Sequence, residues 1–281
     1  MQAQVPTGTI AYDRVGEGDP VVLSHASLVD RRMWRSLLAA LAPTHDVVAF
    51  DQLGYGESSS APHTVRPAET LIDFLDAVGI ERATLIGCSM GGGYSLDAAL
   101  LAPDRVSALV LICSGLPGYE WPEAMRAETR ELLTSAVPLD RLQTYLAHTA
   151  DAVRDDDVAA MAEAQARYMA VGPGRTPDVF APAAWDLVLA MARGVFGRMW
   201  REPASTEVDP EPPILDRLGD VAVPTLVVNG TADVSYIQQI SRLLASGIPG
   251  ARTADLVDTA HLPPVERPDE TNAVILEFLA R

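Results

Sequence analysis

Leu85-Ile86-Gly87-Cys88-Ser89-Met90-Gly91-Gly92 is the stretch on which the reading of this chain turns. The short apolar run 83–86 ends in a G-x-S-x-G pattern. A helical pattern over 91–101 follows directly and is closed by Pro103. The pattern has chemical meaning only in that setting, between a buried strand and a helix. The chain must turn sharply there, so small residues flank a Ser held in a strained conformation with its hydroxyl exposed. The helix that begins at the turn aims its first N–H groups and the positive end of its dipole at negative charge developing on the Ser side. The competing reading is a glycine-rich turn with an incidental Ser, and the pentapeptide alone does not separate the two.

Working outward, the runs 21–23, 47–50 and 109–112 are also short, apolar and rich in β-branched residues. Continuous rather than alternating apolarity suits strands buried on both faces of a parallel sheet. Helical patterns at 33–41 and 67–78 lie between them. Strand and helix in alternation predict an α/β fold with a mostly parallel, doubly wound sheet. After residue 115 the rhythm breaks. Residues 116–218 read as helix formers rich in Ala, Glu and Arg, without a convincing strand, and with breaks at 172–174 and 209–213. Sheet-like patterning resumes at 225–228, followed by a helix over 237–245, a strand at 254–257 and a last helix over 269–279. The expected division is a core of residues 1–115 and 219–281 with a helical cap, 116–218, inserted in it.

The chain has 281 residues, 21 basic and 38 acidic, for a net charge of −17; every basic residue is Arg. So acidic a chain lacks the positive footprint that nucleic acid or anionic lipid requires, which predicts neither as a partner. The two cysteines, Cys88 and Cys113, are too few for a disulfide framework. The start, Met1-Gln2-Ala3-Gln4-Val5-Pro6, has no charged-then-apolar signal pattern, and no run of 18 apolar residues suggests a membrane span. A soluble, cytoplasmic protein is expected.

A Ser hydroxyl is a weak nucleophile unless a base takes its proton, and the base needs an acid to orient it. Two further residues offer themselves in the order Ser, acid, His. Asp233 follows the run ending at Val228, and His261 follows the run ending at Val257. Both sit just past the carboxyl ends of parallel strands, where open α/β sheets place their sites.

With these pieces in place the chain resembles the α/β-hydrolase-fold family, in its esterase, lactonase and C–C hydrolase branch, along nearly its whole length. The matching segments are Ser24-His25-Ala26-Ser27, Asp51-Gln52-Leu53-Gly54-Tyr55-Gly56-Glu57-Ser58, the Ser89 turn, Asp233, and His261 with Glu266-Arg267-Pro268. The resemblance implies Ser89 as nucleophile, His261 as general base and acid, and Asp233 as its orienting carboxylate. It implies an oxyanion hole from the backbone N–H groups of Ser27 and Met90. Loss of one such donor costs roughly 3–4 kcal/mol of transition-state stabilisation. It implies no cofactor and no metal. One departure is Ala26, where the family usually has Gly.

Asp258, three residues before His261, competes as the acid, but a carboxylate from a neighbouring strand's loop is favoured. Cys88 is expected to be a small core residue. Asp51 reads as a structural residue of its loop, and His45, His63 and His148 as solvated or structural. His25 is expected to bond backbone and shape the oxyanion loop. It is grouped with Trp121, Tyr168 and Trp185 as the candidate substrate-binding residues. Three of the four Trp and five of the eight Met fall within 116–218, the composition of an apolar small-molecule pocket. The expected activity is cofactor-free hydrolysis of an ester or lactone of a small, largely apolar substrate through an acyl-serine. The alternatives are C–C cleavage of a β-diketone-type substrate, or ligand binding without turnover. The sequence leaves a homodimer open.

Overall fold

The continuous apolar runs become the central strands of an eight-stranded sheet in a computed structural model that describes residues 1–61, 63–203 and 205–280. In chain order the elements are β1 (Gln2–Val5), β2 (Gly8–Val15), β3 (Asp19–Ser24), α1 (Arg35–Leu41), β4 (His45–Phe50), β5 (Thr64–Val65), α2 (Pro67–Ala77), β6 (Ala83–Cys88), α3 (Met90–Leu101) and β7 (Val106–Ile112). Then come α4 (Glu123–Ala136), α5 (Leu139–Leu146), α6 (Asp155–Gln165), α7 (Pro182–Arg201) and β8 (Thr206–Glu207). The chain ends with β9 (Thr225–Gly230), α8 (Ser235–Gly247), β10 (Arg252–Leu256), α9 (Pro263–Glu266) and α10 (Pro268–Leu279). The strand order is β1-β2-β4-β3-β6-β7-β9-β10. All pairings from β4 to β10 are parallel, while β2 pairs antiparallel with both β1 and β4.

Side chains of a strand alternate between faces, and here both faces are apolar. Leu23, Ala49, Ile86, Val110 and Val228 enter one core with α1 and α10, together with residues of α5, α6 and α7. Val22, Val48, Leu85, Leu111 and Val227 enter the other with α2, α3 and the far side of α8. Most of these side chains are completely buried, and each Val, Leu or Ile among them contributes roughly 1.5–3 kcal/mol relative to exposure. That is why the runs show no polar alternation.

The structure differs from the sequence reading in three places. The sequence does not announce β1 and β2, because the edge strand β1 has a wet face with Gln2 and Gln4, and β2 beside it runs out into an exposed end from Asp13. The 116–218 segment contains a short strand, β8, which pairs in parallel with β5. The expected boundary after 218 falls inside a 3₁₀ turn, Ile214–Asp220. Its buried Ile214 and Leu218 already pack in the sheet's second core, so the chain is back on the sheet by residue 214. Among the described residues no helix is long and apolar enough to cross a membrane.

Candidate active site

The turn from β6 to α3 holds Ser89 at φ 51° and ψ −118°. Such backbone costs a non-glycine residue of order 1–3 kcal/mol and must be held by its surroundings. Three backbone bonds hold it: Ser89 N–H donates to the Ile112 carbonyl at 2.9 Å. The Ser89 carbonyl accepts from Gly115 at 2.8 Å and Gly93 at 3.1 Å. The flanking glycines are required by close approach. A Cβ on Gly87 would lie 2.2 Å from the Gly91 carbonyl oxygen, and one on Gly91 would lie 2.3 Å from that of Ser24.

Asp233 lies in the loop after β9 and His261 in the loop after β10. The two loops touch: Ala232 N–H donates to the Thr259 carbonyl at 2.9 Å, and a Cβ on Gly230 would meet the Ala260 carbonyl at 2.5 Å. His261 Nδ1–H donates to Asp233 Oδ2 at 2.7 Å, with both side chains buried. Asp233 Oδ1 accepts from the Val234 N–H at 2.7 Å. A bond at Nδ1 leaves Nε2 as the proton acceptor. The loop carrying His261 lies against the residue before Ser89, since the Cys88 thiol donates to the His261 carbonyl at 3.5 Å. Asp258 faces away and is mostly exposed, 3.5 Å from Arg175.

Two residues of this centre went unnoticed in the sequence. Arg175, which follows the Gly172-Pro173-Gly174 break, reaches from the helical segment to the His261 loop. It pairs with the fully buried carboxylate of Glu266 and donates to the carbonyls of Asp258 and Val171, each at 2.8 Å. Glu266 in turn accepts from the Ala260 N–H at 2.8 Å, one residue before the histidine. Cys113 has φ 42°, and its Sγ lies within 4.8 Å of both an Asp233 carboxylate oxygen and a His261 ring nitrogen. Burial and the Asp233 carboxylate push this thiol well above its ordinary pKa.

The loop after β3 is braced from behind. Asp51, fully buried, accepts from the N–H groups of Arg31 and Glu57, both at 2.8 Å, and pairs with the Arg31 guanidinium. His25 is completely buried: Nε2 accepts from the Gln52 N–H and Nδ1 donates to the Ala26 carbonyl, both at 2.9 Å. Burial lowers its pKa, consistent with this neutral form. Ala26 is not among the residues at positive φ, so its Cβ is accommodated without strain.

Ser89, Ser27 and Met90 share the wall of one cavity of about 660 Å³. Trp121, Tyr119 and Met125 form part of its outer side, with Tyr236 and Met169. Of the four expected substrate-binding residues, Trp121 alone lies on this wall. His25 is sequestered with both nitrogens engaged by backbone. Tyr168, on a π-helical turn, is one step removed and bonds the Tyr236 hydroxyl at 2.6 Å. Trp185 packs beside Phe180, ring centroids 5.8 Å apart. The helical periodicity of the segment could not tell which of its aromatics face inward.

The chain belongs to the α/β-hydrolase-fold family, whose model matches residues 19–268. It is 29% identical over 281 aligned positions to the 2-hydroxymuconate semialdehyde hydrolase of Pseudomonas putida, covering 94% of this chain and 88% of that one. Among solved structures, the enol-lactonase of Burkholderia xenovorans LB400 superposes with a TM-score of 0.74 at 22% identity, over the full length of both chains. An N-acyl homoserine lactone degrading enzyme gives a TM-score of 0.66 at 28% identity, covering 99% of this chain and all of that one. The protein is therefore an α/β-hydrolase-fold enzyme.

Proposed function

We propose that this protein hydrolyses an ester or lactone bond of a small, largely apolar substrate through an acyl-Ser89 intermediate. The observation that carries the reading is the 2.7 Å bond from His261 to Asp233, on a loop whose His261 carbonyl meets Cys88, the neighbour of a Ser that the β6–α3 turn holds at φ 51°. His261 Nε2 takes the Ser89 proton as Oγ attacks the carbonyl carbon. The N–H groups of Met90 and Ser27 receive the oxyanion. Collapse of the tetrahedral intermediate expels the alkoxide, which takes the proton from His261. Water, deprotonated by the same imidazole, then frees the acid and regenerates Ser89. The helical segment 116–213 serves as a cap, bringing Trp121 and Met169 over the nucleophile.

C–C cleavage is the second reading, and the P. putida relative favours it. It is placed second because Glu120, Glu207 and Asp209 stand on the cavity wall and no basic side chain does, among the described residues. An enolate leaving group or a carboxylate-bearing substrate finds no counter-ion there.

The test is turnover of p-nitrophenyl esters and a lactone panel beside vinylogous diketones. Ester or lactone hydrolysis should dominate, and Ser89→Ala or His261→Ala should each lower kcat at least about a thousandfold, because the members act as a unit. An organophosphonate should leave a covalent adduct on Ser89. Near-normal turnover in either variant overturns the acyl-enzyme mechanism.

A further inference from the structure

The Ser89 cavity has a neighbour. A second cavity of about 400 Å³ lies between residues 52–55, the start of α2 and the end of α7. The two share two wall residues, Tyr94 and Glu207. Tyr94 stands on α3, five positions after the nucleophile, and its hydroxyl donates to the Glu207 carboxylate of β8. Its side chain is 6% exposed. Burial and the adjacent carboxylate hold the phenol far above its ordinary pKa, so it stays a donor.

The second cavity is built for an apolar occupant. Leu53, Val65, Val195 and Trp200 form its walls, and its rim carries Leu146 and Met199, exposed by 55% and 47%. Among the described residues the one Arg on its wall, Arg198, is already committed. It donates to the carbonyls of Tyr55, Gly56 and Ser58 and to the carboxylate of Glu202. No free charge faces a ligand from that guanidinium.

We propose that the Tyr94–Glu207 hydrogen bond closes a side passage from the Ser89 chamber to this apolar portal, and so limits the length of unbranched acyl chain the enzyme accepts. The choice of an acyl chain rests on the ester reading above; the partition itself rests on the two cavities and their shared wall. With the bond in place, a chain that outgrows the first chamber meets the phenol ring. With the ring removed, the chain runs on past Val195 and Trp200 toward the rim at Leu146 and Met199.

The experiment measures kcat/KM for p-nitrophenyl esters from acetate to tetradecanoate, with melting curves for every protein. In Tyr94→Ala the ratio of dodecanoate to butanoate turnover should rise at least about tenfold over wild type, the effect of roughly two further buried methylene groups. Tyr94→Phe and Glu207→Leu, which keep most of the bulk and lose the bond, should give a smaller rise. They also keep the test alive if Tyr94→Ala does not fold. An unchanged ratio in folded, active variants overturns the proposal. If the wild type hydrolyses no ester, the acyl reading fails and a binding measurement decides the partition alone. N-phenyl-1-naphthylamine should bind Ser89→Ala/Tyr94→Ala at least about tenfold more tightly than Ser89→Ala, and equal affinity then overturns it.

Discussion

A histidine with Nδ1 committed to a carboxylate has one tautomer and one free acceptor. Asp233 takes that place by geometry, while Asp258 spends its mostly exposed carboxylate near Arg175. Asp233→Asn should therefore lower kcat by about ten-thousandfold, because an amide can donate to Nδ1 and stabilise the wrong tautomer. Asp258→Asn should change kcat less than about threefold, as expected of an exposed side chain outside the site. Steady-state kinetics on one ester decide it, and a larger loss at Asp258 would make Asp258 the orienting acid. The places of Ser89, Asp233 and His261 in the fold were legible because each follows a recognisable strand. Those of Cys113, Arg175 and Glu207 were not, since their relevance lies in contacts. Arg175 meets Glu266 across 91 positions and Tyr94 meets Glu207 across 113. No local pattern records such a meeting.

At the scale of elements, the strands buried on both faces were legible because they leave continuous apolar runs. β1, β2 and β8 leave none, being half-wet or two residues long. The helical segment was legible as helix but not in its attachments. One of those attachments is the Arg175–Glu266 ion pair, with side chains 11% and 0% exposed. Removing one partner of so buried a pair strands a charge and costs about 3–5 kcal/mol. Arg175→Ala should lower the melting temperature accordingly, and it should also reduce kcat, because Glu266 holds the Ala260 N–H next to His261. Calorimetry and kinetics on the same sample check both. A loss of stability with kcat intact would mean that the pair fastens the segment without positioning the histidine.

For the molecule as a whole, the net charge and the carboxylates on the wall of the Ser89 cavity have the same negative sign. The net charge is −17, and Glu120, Glu207 and Asp209 stand on the wall of the Ser89 cavity. Fields of this kind act over a screening length of about 30 Å in 0.01 M salt and about 8 Å at 0.15 M. Of two otherwise matched esters, one neutral and one ending in a carboxylate, the anionic one should be the poorer substrate. Its kcat/KM relative to the neutral ester should rise several-fold, on the order of three to ten times, between those salt concentrations. A ratio that does not move with salt would show that charge takes no part in selection.

The division of labour between sheet and helical segment has a consequence for how such an enzyme diversifies. Ser89, His261 and Asp233 all rise from loops of the sheet, whereas Trp121, Met125 and Met169 come from the stretch between β7 and β9. Selection can therefore rewrite that stretch to suit a new substrate while inheriting the chemistry unaltered, with one exception. Arg175 belongs to the helical segment yet fastens the loop that carries His261. A segment transplanted from a cousin must carry a cation to that spot, or the borrowed specificity arrives on a slackened histidine loop.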